Sequence, residues 1–98
     1  MRNCFLIPIY NHHETIAATV AALLPYQLPL IIVDDGSDLP TKQVLAQLAQ
    51  QHSQIQLLTL AENGGKGAAV TAGLRHALQV GLSHALQIDA DGQHDTKD

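Results

Sequence analysis

The chain has 98 residues, of which 46% are hydrophobic and 14% are charged, so it can bury one small core and forms one domain at most. Nine acidic against five basic residues give a formal net charge of −4, which argues against a sequence-independent nucleic-acid binder. No apolar stretch approaches the roughly 20 residues needed to cross a bilayer, and neither a transmembrane segment nor a signal peptide is expected.

The apolar pattern alternates between strand and helix periods, which is typical of a parallel sheet with helices between its strands. The lone Cys4 falls in the first apolar run, which favours a core position and a reducing, cytoplasmic compartment. Asn11 and Glu14 are spaced like a capping box at the start of the first helix, and Pro40 suits the first turn of the second. Strands are predicted over 4–9, 30–33, 55–60 and 85–88, and the mixed composition of 55–60 suits an edge strand. Helices are predicted over 13–24, from 40 onward, and over about 67–80. Gly81 is predicted to cap the C-terminus of the third helix.

Polar clusters directly follow three of the predicted strands. Because the carboxyl ends of parallel strands share one edge of a sheet, these clusters predict a single ligand site. Carboxylates one residue apart, as in Asp89-Ala90-Asp91-Gly92, suit Mg²⁺ or Mn²⁺ held together with a diphosphate. For Asp34-Asp35-Gly36-Ser37, an ordinary turn without function stays an equal alternative. The clusters are Tyr10-Asn11, Asp34-Asp35, and Asp89 with Asp91.

The glycine-rich loop before the third helix contains the ingredients of an anion site. The segment Asn63-Gly64-Gly65-Lys66-Gly67 offers backbone N–H groups, a cation and a helix N-terminus. It is not a Walker A loop, because Gly67 stands where that motif needs Ser or Thr. When this loop is considered alone, a lysine such as Lys66 is more often a solvated residue at a helix start than a phosphate ligand. The first strand also lacks the G-x-G-x-x-G turn of dinucleotide oxidoreductases.

Four segments in register carry a family resemblance: IPIYNHHETI, IIVDDGS, ENGGKGAAVTAGLRHA and LQIDADGQHD. Over about residues 5 to 95 the chain resembles the N-terminal half of family 2 inverting glycosyltransferases, and most of all the branch of dolichyl-phosphate and polyprenyl-phosphate sugar synthases. The resemblance implies a GT-A fold, a Rossmann-like βαβαβαβ unit whose mostly parallel sheet has the order 3-2-1-4 and which is truncated after the D-x-D motif. It also implies sugar transfer from a nucleoside diphosphate to an acceptor hydroxyl.

Under this resemblance, residues 1–98 are the donor-binding half of a GT-A domain, inactive alone, and the acceptor half with its catalytic base lies beyond residue 98. Polyprenyl phosphate is the candidate acceptor, and the full-length protein is expected at the cytoplasmic face of a membrane. Because the fourth strand would then lack a partner on its outer edge, the chain is expected to self-associate.

The resemblance further implies roles for residues in each polar cluster. Pro8 and Tyr10 would form the wall beside the nucleotide base, and Asp35 would accept the ring N–H of that base. The other implied site residues are Gly64, Lys66 and Gly67 on the nucleotide side of the crevice, Asp89 facing ribose and metal, and Asp91 on the metal.

Two alternative functions remain open at this point. Asp89-Ala90-Asp91-Gly92 also resembles the nucleophile motif of haloacid-dehalogenase-type phosphatases, although that family carries it near the start of the domain. A non-catalytic nucleotide-binding module is the second alternative. The family pattern DDGS-x-D is also broken here, because Asp38 follows Ser37 directly, so the role of this aspartate is open.

Overall fold

The computed structural model describes residues 3–11 and 13–89, and these form an α/β unit with a four-stranded sheet. All three strand pairings are parallel, and the strand order is β3-β2-β1-β4. The predicted fold class and sheet order are therefore confirmed. In chain order the elements are β1 (Asn3–Ile9), α1 (Ile16–Leu23), a 3-10 turn (Leu24–Tyr26), β2 (Leu30–Asp34), α2 (Leu39–Gln51), β3 (Ile55–Thr59), α3 (Lys66–Gln79) and β4 (His84–Gln87).

The two central strands, β1 and β2, are covered on both faces. Side chains alternate along each strand, so every second residue points to the opposite layer. One face packs against α1 and α2, and the other packs against α3. This double cover explains why 30–33 is an unbroken run of branched apolar residues. The face toward α1 and α2 contains Phe5, Ile7, Ile9, Leu30 and Ile32, and the face toward α3 contains Cys4, Leu6, Ile31 and Val33.

Helix α3 lies very close to the sheet because the side chains on its inner face are small. Ala69, Gly73 and Ala77 are buried against β1 and β2. A Cβ atom placed on Gly73 would overlap Cδ1 of Leu6 and lie 3.1 Å from Cγ2 of Val33. This close packing fixes the position of α3, whose first residues contribute to the candidate site described below.

The predicted start of the first helix is wrong. His13–Thr15 form a turn, and α1 begins only at Ile16, without a side-chain cap. The Asn11 side chain instead accepts a hydrogen bond from the backbone N–H of Asp38, with an N···O distance of 2.6 Å. The capping box does not form because this amide bonds across the strand ends. The strand boundaries agree with the prediction to within one residue, and Gly81 ends α3 with a positive φ of 85°.

The edges of the sheet differ in exposure. β3 lies at one edge, as its mixed composition predicted, and its first residue, Ile55, is buried. β4 lies at the other edge, and its four residues are exposed. None of the helices described here is long and apolar enough to span a membrane.

Candidate functional site

The parallel sheet brings the ends of β1, β2 and β4 to the same edge. The backbone N–H of Asp35 donates to the carbonyl of Ile9, so the residues that follow β1 and β2 lie side by side. The N–H of Ile88 donates to the carbonyl of Leu6, which sets Asp89 beyond the other side of β1. The strand-end clusters predicted from the sequence therefore share one edge of the sheet, as far as residue 89.

Asp34 is a fully buried carboxylate with two partners. Its Oδ2 lies 2.8 Å from Nζ of Lys42, and its Oδ1 accepts the backbone N–H of Ser37 at 2.8 Å. Burial alone would raise the pKa of Asp34, but the hydrogen bonds from Lys42 and Ser37 outweigh it and hold the pKa below its usual range. Asp34 is thus kept ionised, and its partners fix the turn between β2 and α2.

Asp38 caps the second helix. Its Oδ1 accepts the N–H of Thr41 at 3.1 Å and the Thr41 hydroxyl at 2.7 Å, and these bonds lower the pKa of the Asp38 carboxyl. The Asn11 N–H also donates to Oγ of Ser37 at 3.0 Å. Asp38, which departs from the DDGS-x-D pattern by following Ser37 directly, is therefore the N-terminal cap of α2. This network ties the end of β1 to the start of α2.

Asp35 binds the glycine-rich loop. Its Oδ1 accepts the N–H of Gly64 at 2.8 Å, its Oδ2 accepts the N–H of Gly65 at 2.9 Å, and the residue is only 4% exposed. Gly36 makes the approach possible: its φ is +78°, and a Cβ there would lie 3.0 Å from the backbone nitrogen of Asn63. The sequence suggested that the N–H groups of this loop bind an external anion. In the structure, those of Gly64 and Gly65 donate to the carboxylate of Asp35 instead.

Lys66, at the start of α3, and Asp89, after β4, form a solvent-exposed ion pair. Nζ of Lys66, the first residue of α3, lies 2.7 Å from Oδ1 of Asp89, and the two side chains are 58% and 40% exposed. A solvent-accessible carboxylate that already accepts a cation fits a divalent metal ligand, since such ions prefer oxygen donors. Across 3–11 and 13–89, no three His, Cys, Asp or Glu side chains converge to hold a metal by themselves.

The remaining predicted site residues occupy different surroundings. Pro8 is buried within β1, opposite Val33, whereas Tyr10 follows the strand and is 46% exposed. Gly67 lies in the first turn of α3, with no heavy atom within 4 Å of a Cβ built on it. Asp91 lies outside the described residues. Cys4 is 1% exposed, and burial raises the pKa of its thiol, as expected of a core residue.

The sequence analysis missed one contributor to this edge and assigned another the wrong hydrogen-bond partner. The missed contributor is Lys42, one helical turn after Asp38, which was not predicted as a site residue. The side chain of Asn11 was predicted to cap the first helix, whereas it accepts the N–H of Asp38. For Lys42, the available signal was the doubled aspartate itself, because one buried carboxylate needs a cation within reach. Nothing local distinguished the partner of Asn11, which lies 27 residues away.

Similarity to known proteins identifies the family of this chain. The chain matches the profile of the family "Glycosyl transferase family 2" over residues 4–98. A dolichyl-phosphate beta-glucosyltransferase of Trichomonas vaginalis is 33% identical over 99 residues, covering 90% of this chain and 28% of that protein. A bactoprenol glucosyl transferase of Shigella phage SfV is 31% identical over 83 residues, covering 79% of this chain and 27% of that protein.

Among solved structures, the mannosyltransferase PcManGT of Pyrobaculum calidifontis, in complex with GDP-Man and Mn²⁺, superposes with a TM-score of 0.76 at 23% identity. The superposition covers 92% of this chain and 27% of that one, and it identifies the fold as GT-A.

The superposition and the strand order β3-β2-β1-β4 define the class of fold as GT-A, with the polar residues described above at the ends of its strands. The chain belongs to glycosyl transferase family 2. The D-x-D segment lies within the matched residues, whereas the resemblance to phosphatases rested on that segment alone. The chain spans little more than a quarter of the length of the relatives named above.

Proposed function

We propose that the protein is an inverting glycosyltransferase that moves a sugar from a nucleoside diphosphate to an acceptor hydroxyl, with residues 1–98 as its donor-binding half. The observation that carries this proposal is the contact between Lys66 and Asp89. It sets a cation and a carboxylate side by side at the strand ends, where a diphosphate and its metal would have to meet. Family membership supports the reaction type.

The reaction assigns a separate task to each group. The acceptor oxygen attacks the anomeric carbon opposite the departing diphosphate, through an oxocarbenium-like transition state. A divalent metal, Mg²⁺ or Mn²⁺, stabilises the charge on the leaving group when bound. In this chain, Asp89 and Asp91 are the proposed metal ligands, and Lys66 supplies a further positive charge. The general base that removes the acceptor proton is proposed to lie beyond residue 98.

The nucleotide base is proposed to lie beside Pro8 and Tyr10, with its ring N–H on Asp35. Each oxygen of Asp35 already accepts one backbone N–H, but a carboxylate oxygen has a second lone pair and can accept another donor. Uracil and guanine offer a ring N–H at the matching position, whereas cytosine does not. Gly64 and Gly67 would line the same side of the crevice.

The acceptor is proposed to be a polyprenyl phosphate. The support is the similarity to a dolichyl-phosphate glucosyltransferase and a bactoprenol glucosyl transferase, whose names give a lipid acceptor. Such an acceptor would place the full-length protein at the cytoplasmic face of a membrane. A second copy of the chain is a further proposed partner, through the exposed edge of β4.

Calorimetric titration with GDP, UDP and CDP tests the donor site. We expect GDP or UDP to bind in the presence of Mn²⁺ or Mg²⁺, and EDTA to weaken that binding by about tenfold or more, as loss of a charge-assisted contact would. Asp89→Asn should reproduce the EDTA effect, whereas Glu62→Gln, the same charge change in an exposed loop residue, should not.

Nucleotide affinity that is unchanged by both EDTA and Asp89→Asn would contradict the proposed metal site. Equal affinity for UDP and CDP would remove the proposed role of Asp35 in reading the base. If the full-length protein binds a nucleotide sugar but neither transfers nor hydrolyses it, the non-catalytic module is the better description.

A further inference from the structure

The ion pair between Lys66 and Asp89 contributes little to the stability of the fold. Both side chains are substantially exposed, at 58% and 40%, and exposed ion pairs are weak because water and salt screen them. The 2.7 Å contact nevertheless holds a cation on the carboxylate proposed as a metal ligand. The pair is therefore better explained by what binds there than by the stability of the chain.

The backbone N–H groups that precede Lys66 already donate hydrogen bonds within the chain. The N–H groups of Gly64 and Gly65 are both directed at Asp35, a nearly buried residue of the same chain. Lys66 follows them directly, and its backbone belongs to α3 as the first residue of that helix. Its four-carbon side chain is flexible, so the ammonium can move between anions within its reach.

Lys66 and a divalent metal repel each other when both lie on the Asp89 carboxylate. An ammonium 2.7 Å from Oδ1 fills the position of a metal ligand bond, and two cations on one carboxylate oxygen repel each other. A metal on Oδ1 would displace Lys66, and a metal on the other oxygen of the same carboxylate would still repel its ammonium. The diphosphate that arrives with the metal provides the displaced ammonium with a new anion.

We infer that Lys66 is an exchangeable counter-cation, which neutralises Asp89 before the donor binds and transfers to a phosphate oxygen when metal and diphosphate arrive together. This inference rests on the proposed function, since it takes Asp89 as a metal ligand. It assigns Lys66 two effects of opposite sign: the side chain opposes binding of the metal alone and strengthens binding of the nucleotide with the metal. Because of Lys66, bound metal raises the affinity for the nucleotide, and bound nucleotide raises the affinity for the metal.

Lys66→Met in the intact chain separates these two effects. Binding of Mn²⁺ alone is measured from the electron paramagnetic resonance signal of the free ion, and binding of GDP or UDP at saturating Mn²⁺ is measured by calorimetry. We expect Mn²⁺ to bind about two- to fivefold more tightly, the range of a lost exposed ion pair. We expect the nucleotide to bind about tenfold more weakly, as after loss of a charge-assisted hydrogen bond.

Two variants serve as controls. Lys66→Arg keeps the cation and should leave both affinities near those of the parent chain. Arg75→Met removes one positive charge from an exposed position further along α3, and should leave Mn²⁺ affinity near the parent value. Because Lys66 is exposed, Lys66→Met should unfold at the parent temperature, and Lys66→Gln provides a second neutral variant.

The outcomes distinguish this inference from the proposed function. Unchanged or weaker Mn²⁺ binding in both neutral variants overturns the inference while the parent chain still binds metal and nucleotide. Equal tightening by Arg75→Met also overturns it, because net charge would then explain the effect. If the parent chain binds Mn²⁺ neither alone nor with nucleotide, the proposed metal site itself fails.

Discussion

Asp34 and Asp35 are adjacent in the sequence, but their carboxylates have different partners. Asp34 forms an ion pair with Lys42 of α2, and Asp35 accepts two backbone hydrogen bonds from the glycine-rich loop. Strand alternation explains the difference, because consecutive side chains leave a strand on opposite faces. One carboxylate thus stabilises the β2–α2 connection, and the other positions the start of α3.

Replacing Lys42 tests whether its ion pair with Asp34 stabilises the fold. We expect Lys42→Met to lower the free energy of unfolding at neutral pH by about 1–3 kcal/mol, since the buried Asp34 carboxylate would lose its cation. In the parent chain the pKa of Asp34 is lower when folded than when unfolded, so its stabilisation is fully present above about pH 4. It is lost as the pH falls through the folded-state pKa. Urea unfolding between pH 7 and pH 3 measures this.

The matched control for this prediction is Gln43→Met, at the exposed neighbouring position of α2. It should leave stability nearly unchanged at every pH. The difference between the two variants should be largest at neutral pH and should shrink on acidification. A Lys42→Met chain as stable as Gln43→Met at pH 7 would show that the ion pair does not stabilise the fold.

At the scale of elements, α3 connects the core to the candidate site. Its inner face of Ala69, Gly73 and Ala77 lies against β1 and β2, while its first residue, Lys66, reaches Asp89. The distance between helix and sheet therefore affects where Lys66 lies. Since Asp35 also holds the loop before the helix, α3 is fixed both by packing and by hydrogen bonds.

Alanine at Gly73 is expected to destabilise the chain, although alanine favours a helix by about 1 kcal/mol over glycine. The new Cβ would overlap Cδ1 of Leu6 and lie 3.1 Å from Cγ2 of Val33, both in a packed core. Overpacking of this kind costs about 1–3 kcal/mol, and urea unfolding measures the result.

Gly67→Ala provides the comparison within the same helix. No heavy atom lies within 4 Å of a Cβ at this position, and its φ is not in the left-handed region. We expect this variant to be neutral or more stable by up to about 1 kcal/mol. If both alanine variants change stability equally, the close approach of α3 to the sheet is not the cause.

At the scale of the whole molecule, the described residues on and around β4 leave apolar side chains exposed. Within the described part of the chain, β4 pairs with β1 alone. Leu86 on this strand is 59% exposed, and Leu78 on α3 is 72% exposed. A shallow groove of about 190 Å³ runs between α3 and the strand. An open parallel edge beside exposed leucines favours pairing with another chain.

We therefore predict that the chain self-associates through β4. Light scattering after size exclusion should show a mass above that of the monomer, increasing with concentration. Leu86→Lys should shift the chain toward monomer, because a charged side chain on an edge strand opposes pairing. Leu39→Lys is the control, since Leu39 is 65% exposed at the start of α2. A monodisperse monomer with strongly protected β4 amides would contradict the prediction.

The sequence was sufficient for the order and type of the elements. The strand boundaries follow from runs such as 30–33, whose branched side chains need cover on both faces, and Pro40 marks the first turn of α2. These features depend on residues a few positions apart, so local sterics and apolar periodicity determine them. The sheet order came from the family resemblance rather than from any spacing, and the structure confirmed it.

The contacts within the site were decided by the tertiary structure. Asp35 and Gly65 are 30 residues apart, Lys66 and Asp89 are 23 apart, and Asn11 and Asp38 are 27 apart. A carboxylate or amide in a turn has several possible partners, and its own sequence neighbourhood does not select one. Strand order and register make that selection, because they set which chain segments meet at the sheet edge. The sequence by itself determined that the polar clusters after the strands share that edge, and only the folded chain determined which groups bind each other there.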